Sequence, residues 1–162
     1  NADQAEGCIQ DIGVLLGFES SRPDKDFSDG PDNLWRLSTD CYAVIEAKTD
    51  VQSKNSISRS HAEQLSHSLN WFVECIDPGA DTIPVLVHPS YNTFENAHVP
   101  SGTRIITPSK LSELREALLS FFVELDTQQS LSDASNISAA MTRYGIAHNQ
   151  LFDKYSVRVK KA

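Results

Sequence analysis

Apolar positions follow two rhythms along the chain. Ala5, Cys8, Ile9, Ile12, Leu15 and Leu16 recur at three- and four-residue spacing, which predicts a helix over residues 3–17 with Gly17 as its stop. Residues 19–31 lose that rhythm to Asp, Ser, Pro and Gly and read as a loop or weak edge strand. Two apolar runs follow, 33–37 and 41–48, joined through Ser38, Thr39 and Asp40, a link short enough for an antiparallel hairpin. The second run is apolar almost to its charged end and contains Val44 and Ile45, as expected of a central strand covered on both faces. Side chains alternate across a strand, so Tyr42, Val44, Glu46 and Lys48 share one face, while Ala43, Ile45 and Ala47 take the other.

After a polar stretch at 50–56, Ser58 or Ser60 is placed to cap a helix running to about Ile76, with Leu65, Leu69, Phe72, Val73 and Ile76 as its apolar stripe. Asp77, Pro78 and Gly79 end it. Residues 82–88 predict a strand with Pro84 near its start, and 103–107 a second short one. Pro108 then opens the most regular helix of the chain, striped by Leu111, Leu114, Ala117, Leu118, Phe121, Phe122 and Leu125. Residues 130–155 hold one or two more helices, followed by a tail with Arg158, Lys160 and Lys161. The order predicts an α/β fold in which a central mixed sheet is flanked by helices, with extra C-terminal helices, as a single domain over 1–162.

Composition narrows the class. The 162 residues are 40% hydrophobic, and no apolar run nears the ~20 residues of a membrane helix, so no membrane partner is expected and a cytoplasmic setting suits the chain. Cys8, Cys41 and Cys75 are odd in number and far apart, which fits reduced core thiols better than a disulfide framework. The opening Asn1-Ala2 reads as a tag scar and the chain as a piece of a longer protein. A net charge of −8 opposes autonomous attraction to nucleic acid, so any DNA would be delivered by something else. The five histidines lack metal-ligand spacing, and no nucleophile elbow, phosphate loop or dinucleotide fingerprint is present. Trp35 and Trp71 read as packing residues. Arg22, Lys25, Arg36, Lys54 and Arg59 surround the charged strand end in sequence and could touch phosphate, although a solvated role suits most of them.

The chemistry concentrates at Asp32, Glu46 and Lys48. A buried strand ending in Glu-Ala-Lys needs its charges paired or bound to metal. Mg²⁺ takes hard oxygen ligands, commonly one or two carboxylates. Asp32 and Glu46 supply two, the Ala47 carbonyl a third oxygen, and Lys48 can steady the charge that builds on a phosphate.

With these residues in place, the chain resembles the PD-(D/E)XK nuclease superfamily through Gly30-Pro31-Asp32, Ile45-Glu46-Ala47-Lys48 and Gln64. More narrowly, Leu16-Gly17-Phe18, Arg22-Pro23, the run from Gly30 to Trp35, and Gln64-Leu65 through Asn70-Trp71-Phe72 resemble a nuclease-like domain attached to some bacterial DEAD/DEAH-type helicases. The resemblance covers roughly residues 3–107. It implies a restriction-endonuclease-like core and a nuclease dependent on Mg²⁺ or Mn²⁺ that acts on DNA beside a helicase domain of the same polypeptide. It further implies Asp32 and Glu46 as ligands, Lys48 as catalytic, and Gln64 and Glu6 as accessory site residues; on pattern alone Glu6 reads as a solvated flank residue. The competing reading is a catalytically inactive module of the same fold that binds nucleic acid or a partner protein. A third is an oligomerisation domain whose contact is formed by Trp35, Trp71 and the C-terminal helices.

Overall fold

The computed structural model describes residues 2–51, 55–129 and 131–161. Six strands form one mixed sheet in the order β1 (Glu19–Ser21), β2 (Asn33–Ser38), β3 (Cys41–Ala47), β4 (Asp81–Val87), β5 (Arg104–Ile106) and β6 (Val157–Arg158). β1, β2 and β3 pair antiparallel, β4 and β5 run parallel to β3, and β6 closes the far edge antiparallel to β5. The expected α/β architecture, a mixed sheet flanked by helices, is therefore the observed one.

The predicted hairpin is β2–β3, in the register Leu34↔Val44 and Asn33↔Ile45. Strand β3 is buried from Ala43 to Ala47 because helices cover both of its faces. One face, with Val44, packs with Leu34 under Trp71 and Phe72 of α3 (Arg59–Cys75). On the other, Ala43, Ile45 and Ala47 join Val85, Val87 and Ile106 beneath α1 (Ala2–Leu15), which contributes Ile9, and α4 (Pro108–Thr127), which contributes Leu114, Leu118, Phe121 and Leu125. Further core comes from α5 (Ala134–Tyr144) and α6 (His148–Tyr155), through Ala140, Leu151 and Phe152. The β3–α3–β4 unit is a parallel crossover, which requires the intervening helix to lie across one face of the sheet.

Helix ends follow local chemistry. Gly17 has φ +84° and stops α1 two residues after Leu15. The Ser58 side chain accepts from the His61 backbone N–H, and the His61 side chain reaches back to the Ser58 N–H, which fixes Ser58 rather than Ser60 as the cap of α3. Thr107 caps α4 ahead of Pro108.

Several expectations are corrected. Within 19–31 the weak edge strand is found as β1, but a short helix, α2 (Pro23–Phe27), follows it that was not expected, where Pro23 supplies a ready first helical turn. Pro84 lies in the middle of β4, tolerated because pairing to β5 begins only at Val85. The tail adds β6. On α3 the buried stripe is Ala62, Leu65, Ser68, Trp71 and Phe72, while Val73 and Ile76 are exposed. All three thiols are free; Cys41 is half-buried against the core, while Cys8 and Cys75 are exposed and not the core thiols expected. Trp35 and Trp71 are 1% and 8% exposed, which makes them core residues and removes them as a surface for self-association. No described helix is long and apolar enough to cross a membrane.

Candidate functional site

The hairpin register decides where the charges meet. Because Asn33 pairs with Ile45, the residue preceding β2 falls opposite Glu46 at the end of β3. That residue is Asp32, and its Oδ2 accepts the Ala47 backbone N–H at 2.7 Å, clamping the start of one strand to the end of the next. Two residues earlier, Gly30 at φ +99° lies against the Trp71 ring, where a Cβ would stand 2.9 Å away.

Lys48 closes the group. Its Nζ donates to Glu46 Oε2 at 2.9 Å and lies 3.7 Å from Asp32 Oδ2, with its side chain only 16% exposed. The other oxygen of Glu46, Oε1, accepts from the Ser68 hydroxyl of α3 at 2.6 Å. From α1 comes Glu6, paired to the Arg22 guanidinium; Arg22 also donates to Asp3 Oδ1 at 2.9 Å. Asn33, fully buried, donates from Nδ2 to the Glu6 carbonyl at 3.1 Å and so ties α1 to the hairpin. Asp24 of α2 completes the constellation: one carboxylate oxygen each from Glu6, Asp24 and Asp32 lie within 4.8 Å of one another.

Four carboxylates thus crowd one end of the sheet, against two cations. Burial pushes the Glu46 carboxyl above its ordinary range, and the negative charge of Asp32 pushes it further. Glu6 and Asp24 are raised in the same way, by burial first and Asp32 next. Burial alone would lower Lys48, but Glu46 and Asp32 outweigh it and hold its ammonium protonated above the usual lysine range. Lys48 and Arg22 offset part of this negative charge, and the Glu6, Asp24 and Asp32 oxygens are close enough together to hold a metal ion.

A stability prediction follows from the sign of these shifts. A carboxyl raised in the folded state binds more protons folded than unfolded, so its contribution to stability falls as pH rises from the ordinary carboxylate range through the raised value. Asp24→Asn removes one such group. It is expected to leave stability unchanged near pH 4 and to raise it at pH 7.5 by about 1 kcal/mol at most, because solvent screens this half-exposed side chain. Urea midpoints across that range measure the difference. His61 and His88, both lowered by burial, act oppositely between the folded value and the unperturbed one, which is why variant and wild type are compared at each pH.

A cleft of about 430 Å³ opens beside this group, lined by Glu6, Asp32, Ala47, Lys48, His61 and Gln64 among others. No protein-family model, curated protein or solved structure matches the chain. The site is therefore read from its own geometry.

Asp32, Glu46, Ala47, Lys48, Gln64 and Glu6 all lie at this one end of the sheet. Asp32, Glu46 and Lys48 converge, and Ala47 sits between them with its N–H on Asp32. Gln64 is exposed at the cleft, one turn along α3 from Ser60. Glu6 is not a solvated flank residue: its side chain is 12% exposed and held by Arg22. The flanking cations are corrected too. Arg22 is buried and engaged with acids, Lys25 pairs with Asp3, Arg36 with Glu19 and Arg59 with Glu63, while Lys54 lies outside the described residues. Sequence reading missed Asp24, which nothing in its segment marks, and Ser68, whose signal is a polar residue inside an apolar helical stripe. It also missed that His61 and His88 meet, with ring centroids 5.3 Å apart, across the α3–β4 contact.

Proposed function

We propose that this chain is a PD-(D/E)XK-type nuclease domain that uses Mg²⁺ or Mn²⁺ to hydrolyse DNA phosphodiester bonds. It acts in the cytoplasm as a module of a helicase-type protein in DNA repair or defence. The observation that carries this reading is the meeting of Asp32, Glu46 and Lys48 at the end of β3, with Glu46 buried behind a cleft that Asp32, Lys48 and Glu6 line and with Asp24 in one carboxylate cluster with Glu6 and Asp32.

Asp32, Glu46 and Glu6 would hold the ion, with Asp24 a further carboxylate of the same cluster and the Ala47 carbonyl a neutral donor. When bound, the ion supplies positive charge at the phosphate where negative charge develops. Lys48 acts as a cation and hydrogen-bond donor to that phosphate rather than as a base, because its neighbours keep it protonated. Gln64, on the exposed wall of the cleft, orients the substrate or the attacking water. Ala47 keeps Asp32 fixed through its N–H, so the carboxylate meets the substrate without reorganisation. The adjoining helicase domain delivers the strand that a chain of charge −8 attracts poorly.

The test is cleavage of supercoiled and linear DNA with Mg²⁺ or Mn²⁺ against an EDTA control. Asp32→Asn, which retains an acceptor for the Ala47 N–H, is expected to cut at least about 10²-fold more slowly with an unchanged circular dichroism spectrum. Equal rates in variant and wild type would remove Asp32 from catalysis. A second reading, a catalytically silent module that binds nucleic acid or protein, is favoured by the internal satisfaction of the site, since Lys48 neutralises the acids that a metal would otherwise serve. Metal titration by calorimetry separates the two, because the silent module has no need to bind either ion.

A further inference from the structure

Hydroxyl groups inside helices usually bond back to the carbonyl four residues earlier. This chain follows that habit at Ser66, Thr127 and Thr142, which donate to the carbonyls of Ala62, Val123 and Ser138. Ser68 departs from it. Its Oγ leaves the helix and donates to Glu46 Oε1 at 2.6 Å, in a contact where Ser68 is 2% and Glu46 5% exposed. The position lies between Leu65 and Phe72, both fully buried on the same stripe, where packing alone would favour an apolar side chain.

We infer that Ser68 is a positioning residue of the metal site, acting through Glu46; the inference rests on the metal-dependent reading above. By engaging Oε1, the hydroxyl fixes the rotation of the carboxylate and leaves Oε2 on the Lys48 ammonium, which itself lies 3.7 Å from Asp32 Oδ2. Without that donor, Oε1 is a buried acceptor with nothing to satisfy it, and the carboxylate must turn toward another donor to regain a bond. Partners that orient a ligating carboxylate in this way typically change metal affinity by about 10–100-fold. α3 thereby serves the site twice, through Gln64 on the cleft and through Ser68 one turn later behind Glu46.

The experiment is Mn²⁺ titration by calorimetry of the wild-type chain, Ser68→Ala and Ser68→Thr, each checked for a cooperative melt. Ser68→Ala is expected to bind Mn²⁺ at least about tenfold more weakly, and Ser68→Thr, which restores the hydroxyl, to return within about threefold of wild type. Should Ser68→Ala fail to melt cooperatively, Ser68→Cys takes its place as a near-isosteric side chain with a weak donor, and the same loss is expected. Wild-type affinity in the alanine (or cysteine) variant overturns the inference. So does an equal loss in the alanine and threonine variants, which would assign the effect to packing rather than to the hydroxyl. A wild-type chain that takes up no Mn²⁺ instead brings down the metal-dependent reading itself, and is told apart because it needs no variant.

Discussion

On the metal-dependent nuclease reading, Lys48→Met is expected to slow DNA cleavage at least about 10²-fold and yet to bind Mn²⁺ about tenfold more tightly than the wild-type chain. The two halves have one cause. The Lys48 ammonium lies 2.9 Å from Glu46 Oε2 and 3.7 Å from Asp32 Oδ2, so it occupies the electrostatic position that a cation would take between these two carboxylates. At an effective dielectric constant of 20, unit charges 4 Å apart interact by about 4 kcal/mol. Removing the ammonium frees that attraction for the ion, although solvent entering the vacated space offsets much of it. A residue of about 1.4 kcal/mol corresponds to the tenfold gain. Methionine fills a similar volume without charge, so the packing around the site is kept. Cleavage should fall by at least about 10²–10³-fold, the usual cost of deleting one electrostatic donor at a developing charge. Calorimetry reads the first effect and a plasmid assay the second. Weaker Mn²⁺ binding in the variant would mean that Lys48 supports the ion instead of competing with it.

Arg22→Ala is expected to destabilise the fold by about 3–5 kcal/mol, the range for breaking one half of a buried ion pair. Arg22 is 6% exposed and donates to Glu6, to Asp3 Oδ1 and to the Asp3 carbonyl, joining the first turn of α1 to the start of α2. Its loss leaves Glu6 in a half-closed site, already repelled by Asp32 and Asp24. The variant should therefore recover part of its deficit on acidification, because protonating Glu6 removes the uncompensated charge. If the metal-dependent reading holds, saturating Mn²⁺ at neutral pH should restore stability by the same route, through binding to the folded state alone. Urea midpoints at pH 5 and 7.5, with and without Mn²⁺, measure all three effects. A variant as stable as wild type at pH 7.5 would show that the Arg22 network carries no structural weight.

The fold was legible wherever burial imposes a period. The alternation in residues 42–47 set which side chains of β3 share a face, and Val44 indeed packs under α3 while Ala43, Ile45 and Ala47 face α1 and α4. The helix over 108–127 was equally plain, because Leu114, Leu118, Phe121 and Leu125 all project to one side. Misreadings came where local chemistry and packing disagree. Val73 and Ile76 extend the apolar stripe of α3 on paper, but Val73 stands off the face buried through Leu65, Ser68 and Phe72 and Ile76 follows the helix end, so both are exposed. α2 is five residues long, too short for any period to register. β6 owes its strand conformation to the free edge of β5 rather than to its own residues.

The site divides along the same line. Short-range order is written in the chain: Asp32 stands just before one strand, Glu46 and Lys48 at the end of the next, and a hairpin of this length must bring those ends together. What a linear pattern cannot carry is contact between segments far apart in sequence. Glu6 looked solvated until α1 lay against the hairpin, with Asn33 holding its backbone and Arg22 its carboxylate. Ser68 drew no notice in the sequence; only the packing of α3 on β3 places its hydroxyl on Glu46. Asp24 joined the acids only because α2 folds back over the start of β2. The chain alone determined which residue types stand at each strand end, since hydrophobic periodicity and turn chemistry act over a few residues. Tertiary structure decided which of those charges are buried, paired or crowded, because burial and Coulomb interaction depend on distance through space.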